Sequence, residues 1–209
     1  DPLRRQRQMC IRDSDRIQRA IFPLENPQSE FNPSNWPTVF SKPVIGIERK
    51  NVVTKDGSLD ILPGSLEAIR SMRLKGYKVV LITDETGGNE ATIEGWNTKL
   101  MQIFGESGIF SIDSYYYSTG TDKGDIYRKP ATGMFRRAEA ENPGVDFKKG
   151  WYVGHTVLDA KTSFKTGAKP ILVNPSEEEI KKLNSFANKK IKKKTRIFKS
   201  LEEFEKTLK

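Results

Sequence analysis

The sequence predicts an α/β fold, a Rossmann-like, doubly wound parallel sheet of about five strands. From Pro43 onward, short apolar runs alternate with segments of helical periodicity, which is typical of parallel strands joined by crossover helices. Two of these runs, Val44–Ile47 and Lys78–Thr83, are almost continuously apolar, as are strands buried on both faces. A chain of 209 residues is also long enough to bury one sizeable core.

Individual elements follow from the same patterns. The predicted strands are, in order, Val44–Ile47, Lys78–Thr83, Ser114–Ser118, Trp151–Gly154 and Ile171–Val173. Helices are predicted at Ser65–Lys75, Ile93–Phe104, Thr132–Glu141, Asp159–Gly167, Glu177–Phe186 and Leu201–Leu208. Ser176 and Ser200 are suitable N-caps because a hydroxyl oxygen accepts from free backbone N–H groups, and Ser65 or Gly64 is the expected cap of the first helix.

Three regions are predicted along the chain. Residues 1–42 lack periodicity and are rich in proline, so we interpret them as an extended arm with Phe22, Phe31, Trp36 and Phe40 as its anchors. The first 14 residues resemble the translated remnant of a sequencing adapter, and their arginines alternatively resemble part of a mitochondrial presequence. Residues 43–175 form the α/β domain, and residues 176–209 are predicted to be a basic, helical C-terminal extension.

The charge of the chain is uneven. The net charge is +9 and the isoelectric point is near 9.5, and no acid lies between Ile180 and Leu201. Such a patch attracts nucleic acid, anionic lipid or acidic protein, although a solvated surface is the simpler interpretation. The residues predicted to make this contact are Lys189, Lys190, Lys192, Lys193, Lys194 and Arg196.

Composition excludes several classes of site. A single cysteine, Cys10, and a single histidine, His155, cannot build a disulfide or a cysteine-based zinc site. No apolar run approaches the roughly 18 residues that span a bilayer. We therefore predict an intracellular protein without a membrane span, with the mitochondrion as the suspected compartment.

Four segments at predicted strand ends together resemble a known superfamily over roughly residues 43–173. They read PVIGIERKNVV, GYKVVLITDETG, IYRKPATGM and WYVGHTVLDA. Their order and spacing resemble the haloacid dehalogenase (HAD) superfamily of aspartate-nucleophile phosphatases. The resemblance is strongest to members with a minimal cap: histidinol-phosphate and heptose-bisphosphate phosphatases, and the phosphatase domain of polynucleotide kinase 3′-phosphatase.

This resemblance implies a specific chemistry. In the superfamily an aspartate after the first strand attacks phosphorus and forms a phospho-enzyme, and a second aspartate two residues later acts as acid and base. A hydroxyl residue and a lysine hold the phosphate, and further acids complete a Mg²⁺ site. On this pattern Thr83 and Lys129 stand at the anion-binding positions, and Asp159 is one remaining acid.

Other positions depart from the pattern. Glu48 stands at the nucleophile position, with one extra methylene, and Lys50 stands at the acid-base position. Asn51 replaces a glycine and His155 replaces the first acid after the fourth strand. We expect Lys50 or His155 to take over the positive charge of the metal, giving an internal ion-pair cluster.

Each of these residues also has a simpler interpretation. Lys129 could pair with Asp84 or Glu85 at the surface, and Thr83 could only satisfy a backbone donor. His155 could be a structural residue with its hydrogen bonds satisfied.

Loss of the acid-base and metal groups favours a pseudoenzyme. We expect an inactive HAD-like subunit of a larger assembly, mitochondrial or ribonucleoprotein, with no metal site and no cofactor. Its expected partners are protein subunits and, through the basic C-terminal region, RNA. Two alternatives stay open: a divergent Mg²⁺-dependent phosphatase acting on nucleic-acid 3′-phosphate ends, and a phosphate- or nucleotide-binding sensor using Thr83 and Lys129.

Overall fold

The computed structural model describes residues 43–106 and 112–209, which lie within one compact unit, Val39–Lys209. In this part of the chain six parallel strands form one sheet of order β3-β2-β1-β4-β5-β6. The strands are β1 Val44–Ile47, β2 Lys78–Asp84, β3 Ser114–Ser118, β4 Trp151–Gly154, β5 Lys169–Val173 and β6 Arg196–Phe198. The predicted doubly wound α/β class is therefore confirmed.

Seven helices accompany these strands in the described residues. They are α1 Ser65–Leu74, α2 Glu90–Glu106, α3 Gly133–Glu141, α4 Val157–Thr166, α5 Glu177–Ser185, α6 Lys189–Lys194 and α7 Leu201–Glu205. A short 3-10 helix, Phe147–Lys149, precedes β4. Helix α4 begins two residues before the predicted start because Thr156 and Asp159 form a capping box at its N-terminus.

The C-terminal region differs from its predicted all-helical form. Residues 196–198 pair with β5 as a sixth strand, with Ile171 opposite Arg196. Phe198, Leu201, Phe204 and Leu208 are buried in the core cluster that also contains β1 and β2 residues. A three-residue strand is too short to show a period of two, so the sequence pattern missed it.

The order of the strands places the functional residues. The chain leaves β1 toward β2 on one side and later adds β4 on the other, so the order reverses between β1 and β4. In open α/β sheets, ligands bind at the carboxyl ends of the strands at such a switch point. Glu48 follows β1 and His155 follows β4, so both lie at that edge.

Some predicted features lie outside the described residues. These are the extended arm, its aromatic anchors and the first 14 residues. Within the described residues, no helix has both the length and the apolar character needed to cross a membrane. The mitochondrial location stays a prediction.

The tight packing beside β1 gives a first prediction. A Cβ added to Gly46 would lie 2.8 Å from Phe147 Cε1 and 2.9 Å from Tyr152 Cδ2. Because overpacking a rigid core costs about 1–3 kcal/mol, Gly46→Ala should lower the free energy of unfolding by that amount. Gly95→Ala in α2 is the control, since nothing lies within 4 Å of its added Cβ, and it should stabilise by about 0.5–1 kcal/mol. Denaturant unfolding measures both, and equal effects would contradict the packing described here.

Candidate active site at the carboxyl edge of the sheet

Glu48 is a buried carboxylate directly after β1, with an exposed fraction of 2%. Its Oε1 accepts a short hydrogen bond from Thr83 Oγ1 and a second, of 3.3 Å, from the backbone N–H of Lys50. Its Oε2 accepts a short bond from Lys129 Nζ. The two residues expected to bind an anion therefore both hold the carboxylate of Glu48.

Lys129 lies between two acids and is itself buried. Its Nζ donates to Glu48 Oε2 and, at 2.6 Å, to Asp159 Oδ1. Its backbone N–H donates to Asp84 Oδ2 at 2.9 Å, which fixes the loop against the end of β2. Burial would lower the pKa of Lys129, but the facing carboxylates of Asp159 and Glu48 raise it well above its usual value. Lys129 is therefore an ammonium at neutral pH.

Asp159 is held by both its own helix and Lys129. Its Oδ2 accepts from the backbone N–H groups of His155 and Thr156, at 3.1 and 3.0 Å, and from Thr156 Oγ1 at 2.8 Å. Burial would raise the pKa of Asp159, yet the Lys129 ammonium outweighs burial and lowers the pKa to about 2. Asp159 therefore faces the site as a carboxylate.

The depressed pKa of Asp159 predicts a pH dependence of stability. A carboxylate with a pKa below its ordinary value of 3.8 stabilises the fold above about pH 4, and this contribution is lost as the pH falls toward 2. Between about pH 5 and pH 2 we expect the wild type to lose about 2 kcal/mol more free energy of unfolding than Asp159→Asn, which cannot titrate there. Urea unfolding at each pH measures the difference, and parallel curves for the two proteins would contradict it.

Lys50 and Arg49 both form ion pairs with a different acid, Glu85. Arg49 is fully buried and its Nη2 makes a short ion pair with Glu85 Oε1, while Lys50 Nζ lies 3.7 Å from Glu85 Oε2. Glu85 Oε1 also lies 3.0 Å from Thr83 Oγ1. Lys50 thus shares a buried acid with Arg49, and Lys129 contacts Glu48 and Asp159 instead. The expectation that Lys50 or His155 replaces the metal charge is corrected accordingly.

His155 lies at the half-exposed rim of this site. Asn51 Nδ2 lies 3.3 Å from His155 Nε2, and because an amide nitrogen donates, we assign the ring proton to Nδ1. Nδ1 is 3.8 Å from Asp159 Oδ2 and has no hydrogen-bond partner among the described residues. The ring therefore covers one side of Asp159.

Arg49 and Glu85 were not among the site residues predicted from the sequence. Both carry a local signal, since Arg49 is next to Glu48 and Glu85 lies two residues beyond Thr83. Charged residues after a strand are usually solvated, so only the fold reveals their burial. Arg49 also has its Cζ 4.8 Å from the centre of the partly buried Trp96 ring, which is within the range of a cation–π contact.

The acids of the site can be tested for their fit to Mg²⁺. No group of three or more Asp, Glu, His or Cys side chains that could hold a metal occurs in the described parts of the chain. However, Mg²⁺ is commonly bound by one or two carboxylates together with substrate phosphate and water. Glu48 and Asp159 supply two such carboxylates, both directed at Lys129. The two carboxylates therefore have the oxygen chemistry of a magnesium site that the substrate completes, and Lys129 Nζ holds one oxygen of each in this structure.

The chain matches one protein-family model, described as polynucleotide kinase 3 phosphatase, over residues 50–170. The matched range includes Thr83, Lys129 and Asp159 and begins just after Glu48. It is also 31% identical over 123 residues to the D-glycero-beta-D-manno-heptose-1,7-bisphosphate 7-phosphatase of Pseudomonas putida, covering 56% of this chain and 70% of that protein. The enzyme of the same name from Bordetella bronchiseptica is 28% identical over 143 residues, which is 62% of this chain and 79% of that protein.

Solved structures show the same fold. The D,D-heptose 1.7-bisphosphate phosphatase of B. bronchiseptica, complexed with magnesium and phosphate, matches with a TM-score of 0.65 and 24% identity over 79% of this chain and 97% of that one. The corresponding phosphatase of Burkholderia thailandensis matches with a TM-score of 0.57 and 22% identity, with the same coverage. The site described above thus lies on a fold that phosphatases share.

Two expectations from the sequence are wrong in view of these relatives. The expected inactive structural subunit is contradicted because the related proteins at 28–31% identity are named phosphatases. The expected absence of a cofactor is contradicted because the related B. bronchiseptica enzyme is complexed with magnesium and phosphate. The family model covers more than half of the chain, and its match agrees with the fold and with the order of the strand-end residues. The chain therefore belongs to the polynucleotide kinase 3 phosphatase family, within the HAD superfamily.

Proposed function

We propose that this chain is a Mg²⁺-dependent phosphatase that hydrolyses phosphate monoesters at the carboxyl edge of its sheet. One observation carries the proposal: the buried carboxylate of Glu48 is held by the Thr83 hydroxyl and the Lys129 ammonium. A carboxylate, a hydroxyl and an ammonium that converge on one point can attack and hold a phosphoryl group. The names of the related phosphatases support the same reaction.

The charges of the site support a requirement for a divalent cation. Three acids, Glu48, Glu85 and Asp159, are balanced by three bases, Arg49, Lys50 and Lys129. A bound phosphate dianion would leave two negative charges uncompensated in a buried site, where they are costly. Mg²⁺, held by Glu48 and Asp159 together with the phosphate, would supply two positive charges and draw electron density from phosphorus.

The residues of the chain then have distinct roles in the proposed reaction. A Glu48 carboxylate oxygen forms a bond to phosphorus while the ester P–O bond breaks, and the leaving oxygen departs with the electron pair of that bond. Lys129 and Thr83 hold the phosphoryl oxygens as charge shifts during this transfer. Water then attacks the phosphoryl group on Glu48, which releases inorganic phosphate and restores the carboxylate.

The extra methylene of Glu48 is accommodated in this geometry. The Glu48 carboxylate still reaches the Thr83 hydroxyl and the Lys129 ammonium, and it also accepts from the Lys50 backbone N–H. These three contacts orient it, and orientation accounts for a large part of catalysis by a positioned group.

The lysine at the acid-base position predicts which substrates the site prefers. Lys50 stands where a carboxylic acid would protonate the leaving oxygen, and an ammonium group is a poorer acid for this step than a carboxylic acid. We therefore expect faster hydrolysis of 4-nitrophenyl phosphate, whose leaving group needs no proton, than of an alkyl phosphate. Restoring an acid with Lys50→Asp should raise the rate on the alkyl phosphate by about 10²–10⁴-fold, and Glu85 is kept because it pairs with the buried Arg49.

The control in this experiment is the same Lys50→Asp variant acting on 4-nitrophenyl phosphate, whose rate should change little. Phosphate release is measured with Mg²⁺ and with EDTA for each substrate. Equal increases in the hydrolysis rates of both substrates would show that the residue at position 50 does not act by protonating the leaving group. No Mg²⁺-dependent release of phosphate from either substrate would overturn the proposed function.

For the natural substrate class we propose a nucleic-acid 3′-phosphate end, because the family model that matches is described by that activity. A sugar bisphosphate is the second candidate, because the related bacterial enzymes are named for one. A 3′-phosphorylated oligonucleotide and a sugar 1,7-bisphosphate, compared by kcat/KM, decide between them. Binding of phosphate in calorimetry without turnover of either substrate would instead indicate an anion sensor.

A further inference from the structure

The described C-terminal region presents a cluster of exposed cations far along the chain from the active-site residues. We call Lys189, Lys190, Lys192, Lys193, Lys194 and Arg196 the basic face, since each is exposed. Within the described residues, none of the six forms an ion pair with an acid. The acids of the neighbouring helix α5, Glu178 and Glu179, instead pair with Lys182. The positive charge of the basic face is therefore not neutralised within the described fold.

These cations are held by folded structure. Asn188 caps α6 by accepting from the backbone N–H groups of Lys190 and Ile191, at 3.1 and 3.3 Å. Ile191 is buried in a cluster with Leu172 of β5 and Leu183 of α5. The lysines around Ile191 consequently project from a fixed helix, which lowers the entropy that a partner must remove on binding.

The basic face does not belong to the edge of the sheet that carries the phosphatase site. All strands are parallel, so their first residues lie at the edge opposite to Glu48. Arg196 begins β6, and Lys194 lies two residues before it with its Nζ 5.6 Å from the ring centre of Phe164, in the second half of α4. Both cations therefore lie toward the amino edge.

The chemistry of this face favours the phosphate backbone of nucleic acid. Membrane binding by an amphipathic surface usually needs several bulky apolar residues among the cations. Within residues 189–198, Ile191 is buried and only Ile197, which is 46% exposed, offers such a side chain. Base stacking requires free aromatic faces, whereas Phe164 is covered by Lys194 and Phe186 by Lys161. The basic face therefore offers ammonium and guanidinium groups, which are suited to contacts with phosphate oxygens.

We propose that the basic face is a docking surface for the phosphate backbone of nucleic acid, separate from the phosphatase site. It recognises charge and not base sequence, so it would hold the protein on a nucleic acid while the opposite edge of the sheet stays free. The proposal does not depend on the proposed phosphatase activity.

The test compares two triple variants of the full-length chain that remove the same charge. Lys190→Gln/Lys193→Gln/Arg196→Gln changes the basic face, and Lys55→Gln/Lys99→Gln/Lys123→Gln removes three exposed cations elsewhere. Binding to a fluorescein-labelled DNA duplex is measured by anisotropy across a series of salt concentrations. Since each phosphate contact contributes about 0.9 to the slope of log K against log salt, the first variant should lower that slope by about 2–3 and the control should not.

Several results would overturn the proposal. Equal salt slopes for both variants would show that the cations of the basic face contribute to binding only through the net charge of the protein. Binding to phosphatidylserine vesicles, or to an acidic protein, that depends on the basic face while duplex binding does not would assign the surface to another partner. Hydrolysis of 4-nitrophenyl phosphate by the basic-face variant should equal that of the wild type, which separates this test from that of the phosphatase site.

Discussion

Replacing Glu48 with glutamine should abolish hydrolysis of phosphate monoesters. The amide keeps the size of the side chain but is not a nucleophile, and deleting the nucleophile of an enzyme can cost on the order of 10⁶-fold in kcat. Phosphate release from 4-nitrophenyl phosphate in the presence of Mg²⁺ measures the loss. Glu139→Gln is the control, since its carboxylate accepts from the backbone N–H of Phe147, outside the site, and its rate should remain close to that of the wild type.

The stability of the Glu48→Gln protein makes this result interpretable. Glu48 is one of two acids on Lys129, and Asp159 remains to pair with the ammonium, so the variant should stay folded with an unfolding transition close to that of the wild type. A folded Glu48→Gln protein with undiminished kcat would show that another group attacks phosphorus and that Glu48 only supports Lys129.

Replacing Lys129 with methionine should lower the free energy of unfolding by about 3–5 kcal/mol. Methionine removes the ammonium between Glu48 and Asp159, which are 2% and 3% exposed, and breaking a buried ion pair from one side leaves an uncompensated charge. Denaturant unfolding at neutral pH measures the loss. Lys182→Met removes an ammonium that also pairs with two acids but at the surface, and it should change stability little.

Two further measurements distinguish this mechanism from loss of packing. Buried carboxylates without a partner are relieved by protonation, so the stability of Lys129→Met should rise as the pH falls, opposite to the trend in the wild type. Adding Glu48→Leu and Asp159→Leu should recover much of the loss, because apolar residues can replace a buried ion cluster at little cost. A Lys129→Met protein as stable as the wild type would contradict the buried position of this lysine.

The fold could be predicted because its signals are local and repeated. The buried apolar runs at Val44–Ile47 and Lys78–Thr83 reveal two central strands, and helical spacing reveals the connections between strands. In a parallel sheet, strand ends share an edge, so Glu48, Thr83 and Asp159 could be expected near one another. In the structure Thr83 contacts Glu48, and Lys129 contacts both Glu48 and Asp159. Lys129 lies on a loop, and a loop has no periodic sequence pattern from which its path could be predicted.

The partners of individual charges could not be predicted. The sequence places Lys50 two residues from Glu48, where it could replace the charge of the metal, but in the structure its ammonium lies near Glu85. A side chain as long as lysine can reach several acids, and only the fold decides which one it meets. The inference that the site is inactive rested on the loss of acid-base and metal groups at Lys50 and His155, and the related phosphatases contradict it.

The C-terminal region shows a second limit of sequence patterns. Its lysines suggest a solvated extension, yet Phe198, Leu201 and Phe204 are part of the main core. The apolar residues of this region are spaced among many cations, and their burial depends on the edge of the sheet formed by β5. Long-range pairing of this kind leaves almost no local signal.

The most direct test of the proposed active site is to trap the phosphorylated protein. The full-length chain is mixed with 4-nitrophenyl phosphate and Mg²⁺, quenched rapidly in acid, digested and examined by mass spectrometry, with Glu48→Gln as the control. We predict a phosphoryl group on the peptide that contains Glu48 in the wild type and none in the variant. Turnover with a phosphoryl group on another residue, or Mg²⁺-bound protein that releases no phosphate at all, would contradict a nucleophilic Glu48.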